Sequence, residues 1–319
     1  MHRDGEALTV TVFAPAPQLT ITVEQRTEAG DDIHLHAGGQ GIWIARLLTR
    51  LGVPTTLCAS FGGEAGVVLR SLVQQEAIRE VIAVEVKAVN GAYVHDRRGG
   101  ERREVAEQTA GPLDRHDRDE LYTATVASGL HSRMCVLGGY DPTSKVIPPD
   151  FYRRLAGDLR GNGATVVADL SGDLREAAMA GGLDVLKTSH EDLVNDSLLT
   201  DASDQEDTVL AMRELTERSD ITHLVVTRAE EPALALSGGR LIEVSGPRLE
   251  VQDHRGAGDS VTAGITAGLF FGDPFVDALR MGVAAATLNV ARHGLATGRA
   301  DAIAAVLDQV EVRTLEDPC

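Results

Sequence analysis

Residues 251–272 read VQDHRGAGDSVTAGITAGLFFG, a polar approach that runs through glycine into a helix. Gly256, Ala257 and Gly258 stand where a helix would begin. Successive N–H groups from small residues at such a point make a cradle for an anion. Asp259 comes next and is open to two readings. An aspartate here is commonly a helix cap, and a carboxylate beside an anion cradle can also take a proton from an attacking alcohol. Ala263, Gly264, Ala267 and Gly268 keep one face of the helix small, which suits close packing against a second helix. The apolar run Val261–Phe271 is too short to span a bilayer.

A second junction of the same kind lies at 36–52, HAGGQGIWIARLLTRLG. Gly38, Gly39 and Gly41 let backbone approach a ligand at a helix start, and they would equally serve a tight turn. Ile42, Ala45, Leu48 and Leu51 repeat at helical spacing, and Gly52 ends the helix. No GK[ST] closes the loop, so it is not a Walker motif. Trp43, Ile44 and Ala45 break the dinucleotide pattern GxGxxG.

Working outward, LTVTVF (8–13) and LTITVE (19–24) read as strands, and IHLHAGG (33–39) alternates as a strand does. TTLCASF, VIAVEV, MCVLGGY, ATVVADLSG, DVLKTS and HLVVTR are short apolar runs, most of them ending in small or polar residues. Helical stretches separate many of them. That order predicts a mainly parallel sheet with function at the strands' carboxyl ends. AYVHDRRGGERREVA (92–106) reads as a polar hairpin about Gly99-Gly100. Its Arg97, Arg98, Arg102 and Arg103 are either solvated edge charges or anion ligands. The acidic stretch 196–207 reads as a solvated loop or helix start. One α/β domain over 1–319, with a small β lid from insertions around 14–37 and 88–108, is the resulting expectation.

Composition narrows the partners. The 319 residues carry 30 Lys+Arg against 48 Asp+Glu, a net charge of −18, which argues against nucleic acid or an anionic membrane. It leaves room for a phosphorylated ligand held by backbone amides. Cys58, Cys135 and Cys319 form neither a metal spacing nor a disulfide framework. His34 and His36 share a strand face without a third ligand nearby, too few for zinc. His2, Arg3, Asp4 and Glu6 precede any apolar run, so the start does not read as a secretory signal. A cytoplasmic protein is expected.

The two junctions resemble the signatures of the ribokinase-like (PfkB-type) carbohydrate kinases, GAGDSVTAG the C-terminal one and GGQGIWIARLLTRLG the N-terminal one. GGEAG (62–66), VLGGYDP with DFYRRL, VADLSGDLREAA, LKTSHEDL and AAATLN resemble the family's intermediate segments in order, over roughly residues 8 to 310. The pattern is nearest the phosphofructokinase and tagatose-phosphate kinase branch. The resemblance implies a three-layer α/β sandwich with a β lid, and ATP- and Mg²⁺-dependent phosphorylation of a hydroxyl on a sugar or sugar phosphate. It makes Asp259 the base and Gly256, Ala257 and Gly258 the anion hole. Substrate would meet Gln18, Gly38, Gly39, Gln40 and Trp43. The nucleotide would meet Lys187, Ser189, Thr227, Arg228 and Asn289. Asp192 would hold Mg²⁺ through water, and Asp253 falls near a monovalent-cation loop. A homodimer through the lid is a further implication.

Departures gather where substrate is read. Gln18 stands for the family's sugar-binding aspartate, Gln40 for its phosphate-binding lysine and Trp43 for an asparagine. Gly91 falls at the lid arginine. On the nucleotide side Ser189 and Asp192 replace an NxxE pair, and Arg228 and Pro232 replace glycines. Trp43 reads equally as core packing or as a stacking surface. These changes also admit a ligand-binding or regulatory protein on the kinase fold, with little phosphotransfer.

Overall fold

The computed structural model describes residues 9–26, 30–100, 102–140, 144–201, 204–292 and 294–315. The chain starts with β1 (Val10–Ala14), β2 (Gln18–Arg26), β3 (Gly30–Gly38) and α1 (Gln40–Arg50). Then come β4 (Thr55–Phe61), α2 (Gly63–Val73), β5 (Glu80–Glu85), β6 (Gly91–Asp96), β7 (Arg103–Gln108) and α3 (Arg115–Gly129). An alternating run follows: β8 (Met134–Gly138), α4 (Pro149–Gly161), β9 (Thr165–Asp169), α5 (Gly172–Gly181), β10 (Val185–Ser189) and α6 (His190–Asn195). The last third holds α7 (Gln205–Glu217), β11 (His223–Arg228), β12 (Glu231–Ser237), β13 (Arg240–Ser245), α8 (Ala257–Phe271), α9 (Phe275–Val290), α10 (Ala300–Leu307) and β14 (Glu311–Leu315).

Ten strands form one sheet in the order β14-β13-β12-β11-β10-β9-β8-β1-β4-β5. The seven from β5 to β11 are parallel, and β12, β13 and β14 add an antiparallel edge. Successive side chains alternate between two cores. Val10, Val12 and Val136 pack with Ile42 of α1 and with Ala263 and Leu279 of α8 and α9. Phe13, Leu137 and Val166 pack with Leu121, Tyr152 and Met212 on the other face. This is the expected three-layer arrangement. The chain builds outward from β1 in one direction and from β8 in the other, so a crevice opens at their carboxyl ends.

Small residues bring the elements around that crevice together. A Cβ on Gly41 would lie 2.4 Å from Ala14 Cβ, so α1 sits directly on the end of β1. A Cβ on Gly264 would lie 2.5 Å from Gly282 Cα, and one on Gly268 2.6 Å from Ala278 Cα. The small-residue stripe is therefore a seam between α8 and α9 inside the core.

The expected lid is a separate four-stranded sheet, β3-β2-β6-β7. Its pairing gives it two unlike faces. Gln18, Thr20 and Thr22 lie in register with Gly91, Tyr93 and His95, and with Gly38, His36 and His34. Leu19, Ile21 and Val23 lie on the opposite face in register with Ala37, Leu35 and Ile33. Buried Asn90 ties the lid's root to the body. Its Oδ1 accepts from Gly62 N at 2.7 Å, and its Nδ2 donates to Pro17 O at 3.1 Å and Ser60 O at 3.2 Å.

His34 and His36 stack on one another, with Glu24 3.9 Å from His34. Among the described residues no group of three or more His, Cys, Asp or Glu side chains gathers to hold a metal. Cys58 and Cys135 are free thiols whose burial pushes them up to about 12; Cys319 lies outside the described residues. The acidic stretch ends in a cap for α7, where Asp204 accepts from the N–H groups of Glu206 and Asp207. No helix among the described residues is long and apolar enough to cross a membrane.

Candidate active site

A cavity of about 570 Å³ opens at the crevice, between the strand ends and the polar face of the lid. That is the size range of small-molecule sites. Its floor comes from the ends of β8, β9 and β10 and from the start of α8, which supply Gly139, Asp169, Lys187, Gly256 and Asp259.

Gly256 has φ of +68°, a left-handed turn that glycine takes without strain, and α8 begins immediately after it. No side chain caps the helix. Its first amides therefore lack an intrahelical partner at a point where the helix dipole favours an anion. Asp259 is not the cap, because Gly256 occupies that position. It stands in the first turn, buried, with its carboxylate lining the cavity. Desolvation pushes its pKa up to about 7, Asp169 pushes the same way, and Lys187 and Gln40 oppose them.

Lys187 and Asp169 make a buried ion pair beside it, Nζ to Oδ1 at 3.1 Å. Burial alone would neutralise this lysine, but Asp169 and Asp259 overcome that and raise its pKa. The other oxygen of Asp169 accepts from Thr262 Oγ1 at 2.6 Å, which pins β9 to the second turn of α8. A Cβ on Gly258 would stand 2.5 Å from Lys187 Nζ, so glycine there leaves room for the ammonium under the helix start.

Of the substrate-side residues, Gln18, Gly39, Gln40 and Trp43 line the cavity. Gln40 does so as a strut. Its Oε1 accepts from Gly139 N, and its side chain hydrogen-bonds Asp259, so the amide is committed to the floor. Trp43 packs partly against the core and also lines the cavity. Gly38 lies under Trp43, where a Cβ would come within 3.2 Å of the indole. Gly39, with φ of +97°, is the backbone turn into α1.

The nucleotide-side residues divide. Lys187 and Ser189 line the cavity. Ser189 caps α6 in a reciprocal box with Asp192, whose Oδ2 accepts from Ser189 N and Oγ at 3.1 and 2.6 Å. Thr227 lies in register with Ser189 on the neighbouring strand, outside the cavity. Arg228 is not brought to the site. It is buried across the hairpin, where its Nε donates to Pro232 O at 2.8 Å and Glu243 lies 3.9 Å away. Asn289 does not line the cavity but stands behind its wall, where a Cβ on Gly256 would lie 3.7 Å from its Nδ2. Its Nδ2 donates to Arg255 O at 2.6 Å and its Oδ1 accepts from Ala296 N at 2.8 Å, so the amide joins two loops. Asp253 is drawn into ion pairs, with Arg97 at 3.0 Å and Arg102 at 3.5 Å.

Sequence reasoning missed Asp169, Tyr93 and Arg255, all in the cavity wall. Asp169 had a signal, as an acid at the carboxyl end of a parallel strand. The other two depend on lid pairing and on how one loop folds.

A family model described as pfkB family carbohydrate kinase matches residues 8–302. The chain belongs to this family. It is a carbohydrate kinase. The kinase is 27% identical over 280 residues to 1-phosphofructokinase of Bacillus subtilis (strain 168), which covers 88% of this chain and 89% of that protein. It is 29% identical over 262 residues to ATP-dependent 6-phosphofructokinase isozyme 2 of Escherichia coli (strain K12), covering 79% and 82%. Its fold is that of phosphofructokinase-2 from Escherichia coli in complex with potassium. The TM-score is 0.81 at 22% identity, over 95% of this chain and 99% of that one.

Proposed function

We propose that this kinase transfers the γ-phosphoryl group of ATP to a hydroxyl of a sugar monophosphate, with Asp259 as general base. The observation that carries this is Asp259 itself, a buried carboxylate poised near neutrality at an uncapped helix start facing the cavity. Asp259 takes the hydroxyl proton as the oxygen bonds to the γ-phosphorus. The bond from γ-phosphorus to the bridging oxygen breaks, and ADP leaves with that oxygen's electrons. Amides of Ala257 and Gly258 receive the charge on the transferring group. Lys187 balances the two carboxylates and keeps Asp259 available as an anion. A sugar phosphate is favoured because two similar curated proteins are phosphofructokinases.

Mg²⁺ fits as a companion of the nucleotide phosphates, because it needs only one or two carboxylates besides phosphate and water, and Asp192 lines the cavity. When bound it would neutralise phosphate charge, and Asp192 would reach it through water. A cation at the Asp253 carboxylate has no support, since two guanidiniums already hold it. The chain is read as one catalytic domain with the lid around 14–37 and 88–108. A second copy of the chain covers the lid's apolar face, where Ile33 is 63% and Leu35 43% exposed.

Asp259→Asn tests the assignment. Phosphoryl transfer from ATP to fructose 6-phosphate or fructose 1-phosphate should fall by about 10²–10⁴-fold, with the fold kept as judged by circular dichroism. Turnover near that of the unaltered enzyme would remove Asp259 from its role.

A further inference from the structure

The four arginines of the lid hairpin do not behave alike. Arg98 faces solvent and is paired with Asp96 and Asp31 at 2.9 and 3.0 Å, and Arg103 is exposed near Asp96. Arg97 and Arg102 instead turn toward the body, where both reach Asp253. Arg255, from the loop that enters α8, meets them there. Its Nη1 donates to the Tyr93 hydroxyl at 3.2 Å, and its guanidinium lies 5.4 Å from the Tyr93 ring centre. The Arg102 guanidinium lies over the same ring at 5.7 Å.

His95 sits against Tyr93, with ring centres 4.4 Å apart, and is 1% exposed. Neither of its ring nitrogens has a hydrogen-bond partner, and the Arg102 Nε also lacks one. Buried donors left in this way cost stability unless something binds them. Burial holds the pKa of His95 down to about 4, with the Arg102, Arg255 and Arg97 guanidiniums acting the same way and Asp253 opposing them. Glu24 adds one more carboxylate, 3.8 Å from Arg97 on the solvent side. These unmet donors stand among three guanidiniums, behind the wall of the cavity that Tyr93 and Arg255 line together with Glu104 and Glu107, the carboxylates in register with His95 and Tyr93.

We propose that Arg102, Arg255 and His95 form an anion subsite at the lid end of the cavity, which takes the phosphate of a phosphorylated acceptor. The unpartnered Arg102 Nε, the Arg255 guanidinium and one imidazole N–H donate to its oxygens, and a guanidinium is suited to a tetrahedral dianion. Asp259 and the amides at the start of α8 remain free for the transferring group. The subsite supplies the charge that Gln40 and Gly91 do not. The proposal rests on the cavity being the acceptor's site, as argued above, but it can be tested without turnover.

Inorganic phosphate is titrated into the protein and binding is followed by calorimetry and thermal midpoint, with Arg102→Gln, Arg255→Gln, Arg102→Lys and Arg98→Gln alongside. The two glutamine variants should bind phosphate at least about tenfold more weakly, the size of one charge-assisted contact. Arg102→Lys should fall between, and Arg98→Gln should match the unaltered protein. Removing one crowded cation should leave the ligand-free midpoint level or raised. A lowered midpoint with phosphate binding intact would make Arg102 a structural tie only and overturn the proposal. So would phosphate binding that survives both glutamine variants, which would place the anion at the start of α8, or no phosphate binding by the unaltered protein. A second arm separates acceptor from nucleotide. Fructose 6-phosphate should lose its advantage over fructose in Arg102→Gln. If ADP displaces phosphate and weakens tenfold in that variant, the cluster belongs to the nucleotide and the proposal fails. Asp259→Asn should bind phosphate as before, so a failure of the catalytic assignment remains distinct from a failure here.

Discussion

The cavity has two charged ends built on opposite principles. At the floor, two carboxylates share one ammonium, and both oxygens of Asp169 have partners. At the lid, two guanidiniums share Asp253, and buried nitrogens on His95 and Arg102 have no partner. The floor stands on strand ends and a helix locked into the main sheet. The lid end is assembled from a hairpin and a loop that meet only in three dimensions. A satisfied set positions and tunes one proton, whereas an unsatisfied set is ready for a ligand.

The largest effect should come from the floor. Ionising Asp259 is costly in the folded state, since its pKa lies above the ordinary carboxylate value. Its stabilising contribution is therefore full at low pH and is lost as pH rises through about 7. Asp259→Asn, besides losing catalysis, should melt higher than the unaltered protein at about pH 8, and the two curves should converge toward pH 5. An equal offset at both pH values would mean that Asp259 is not buried as an acid near neutrality.

Next come its neighbours. The acid limb of kcat/KM should lie near Asp259's value of about 7. Lys187→Met removes the charge that favours the anion, so the limb should move to higher pH. Asp169→Asn removes the charge that opposes it, so the limb should move lower. Shifts of the same sign in both variants would break the picture of a balanced floor.

Smaller effects belong to the lid end. Trp43→Phe should raise KM for the acceptor a few-fold and leave kcat nearly unchanged, read from initial rates. Ile33→Thr with Leu35→Thr should lower the dimer fraction in analytical ultracentrifugation while the monomer's melting point stays within a few degrees. A double variant as dimeric as the unaltered protein would place the second copy elsewhere.

The floor was largely legible in the sequence. Gly256, Ala257 and Gly258 announce an uncapped helix start through local conformation, which neighbours along the chain control. Parallel strands with function at their carboxyl ends follow from short apolar runs alternating with helices. Which strand ends face one another depends on sheet order, so Asp169 went unremarked although its segment stood out. Arg228 and Asn289 do not line the cavity: the first is held by the carbonyl of Pro232, and the second joins two loops behind the start of α8. The lid hairpin was visible, yet only its pairing and the bulge between Val94 and His95 decide which arginines turn inward.

The seam between α8 and α9 carries a consequence for inheritance of function. Gly264 stands five positions beyond Asp259 on one rigid helix, and any added carbon there meets the backbone at Gly282. Enlarging it would push α8 from its seam and displace Asp259, the proposed base, without altering a single cavity residue. A random hunt for dead enzymes should therefore return changes at Gly264, Gly268 and Gly282 alongside those at Asp259. The evolutionary vulnerability of this catalyst extends well away from the surface its substrates touch.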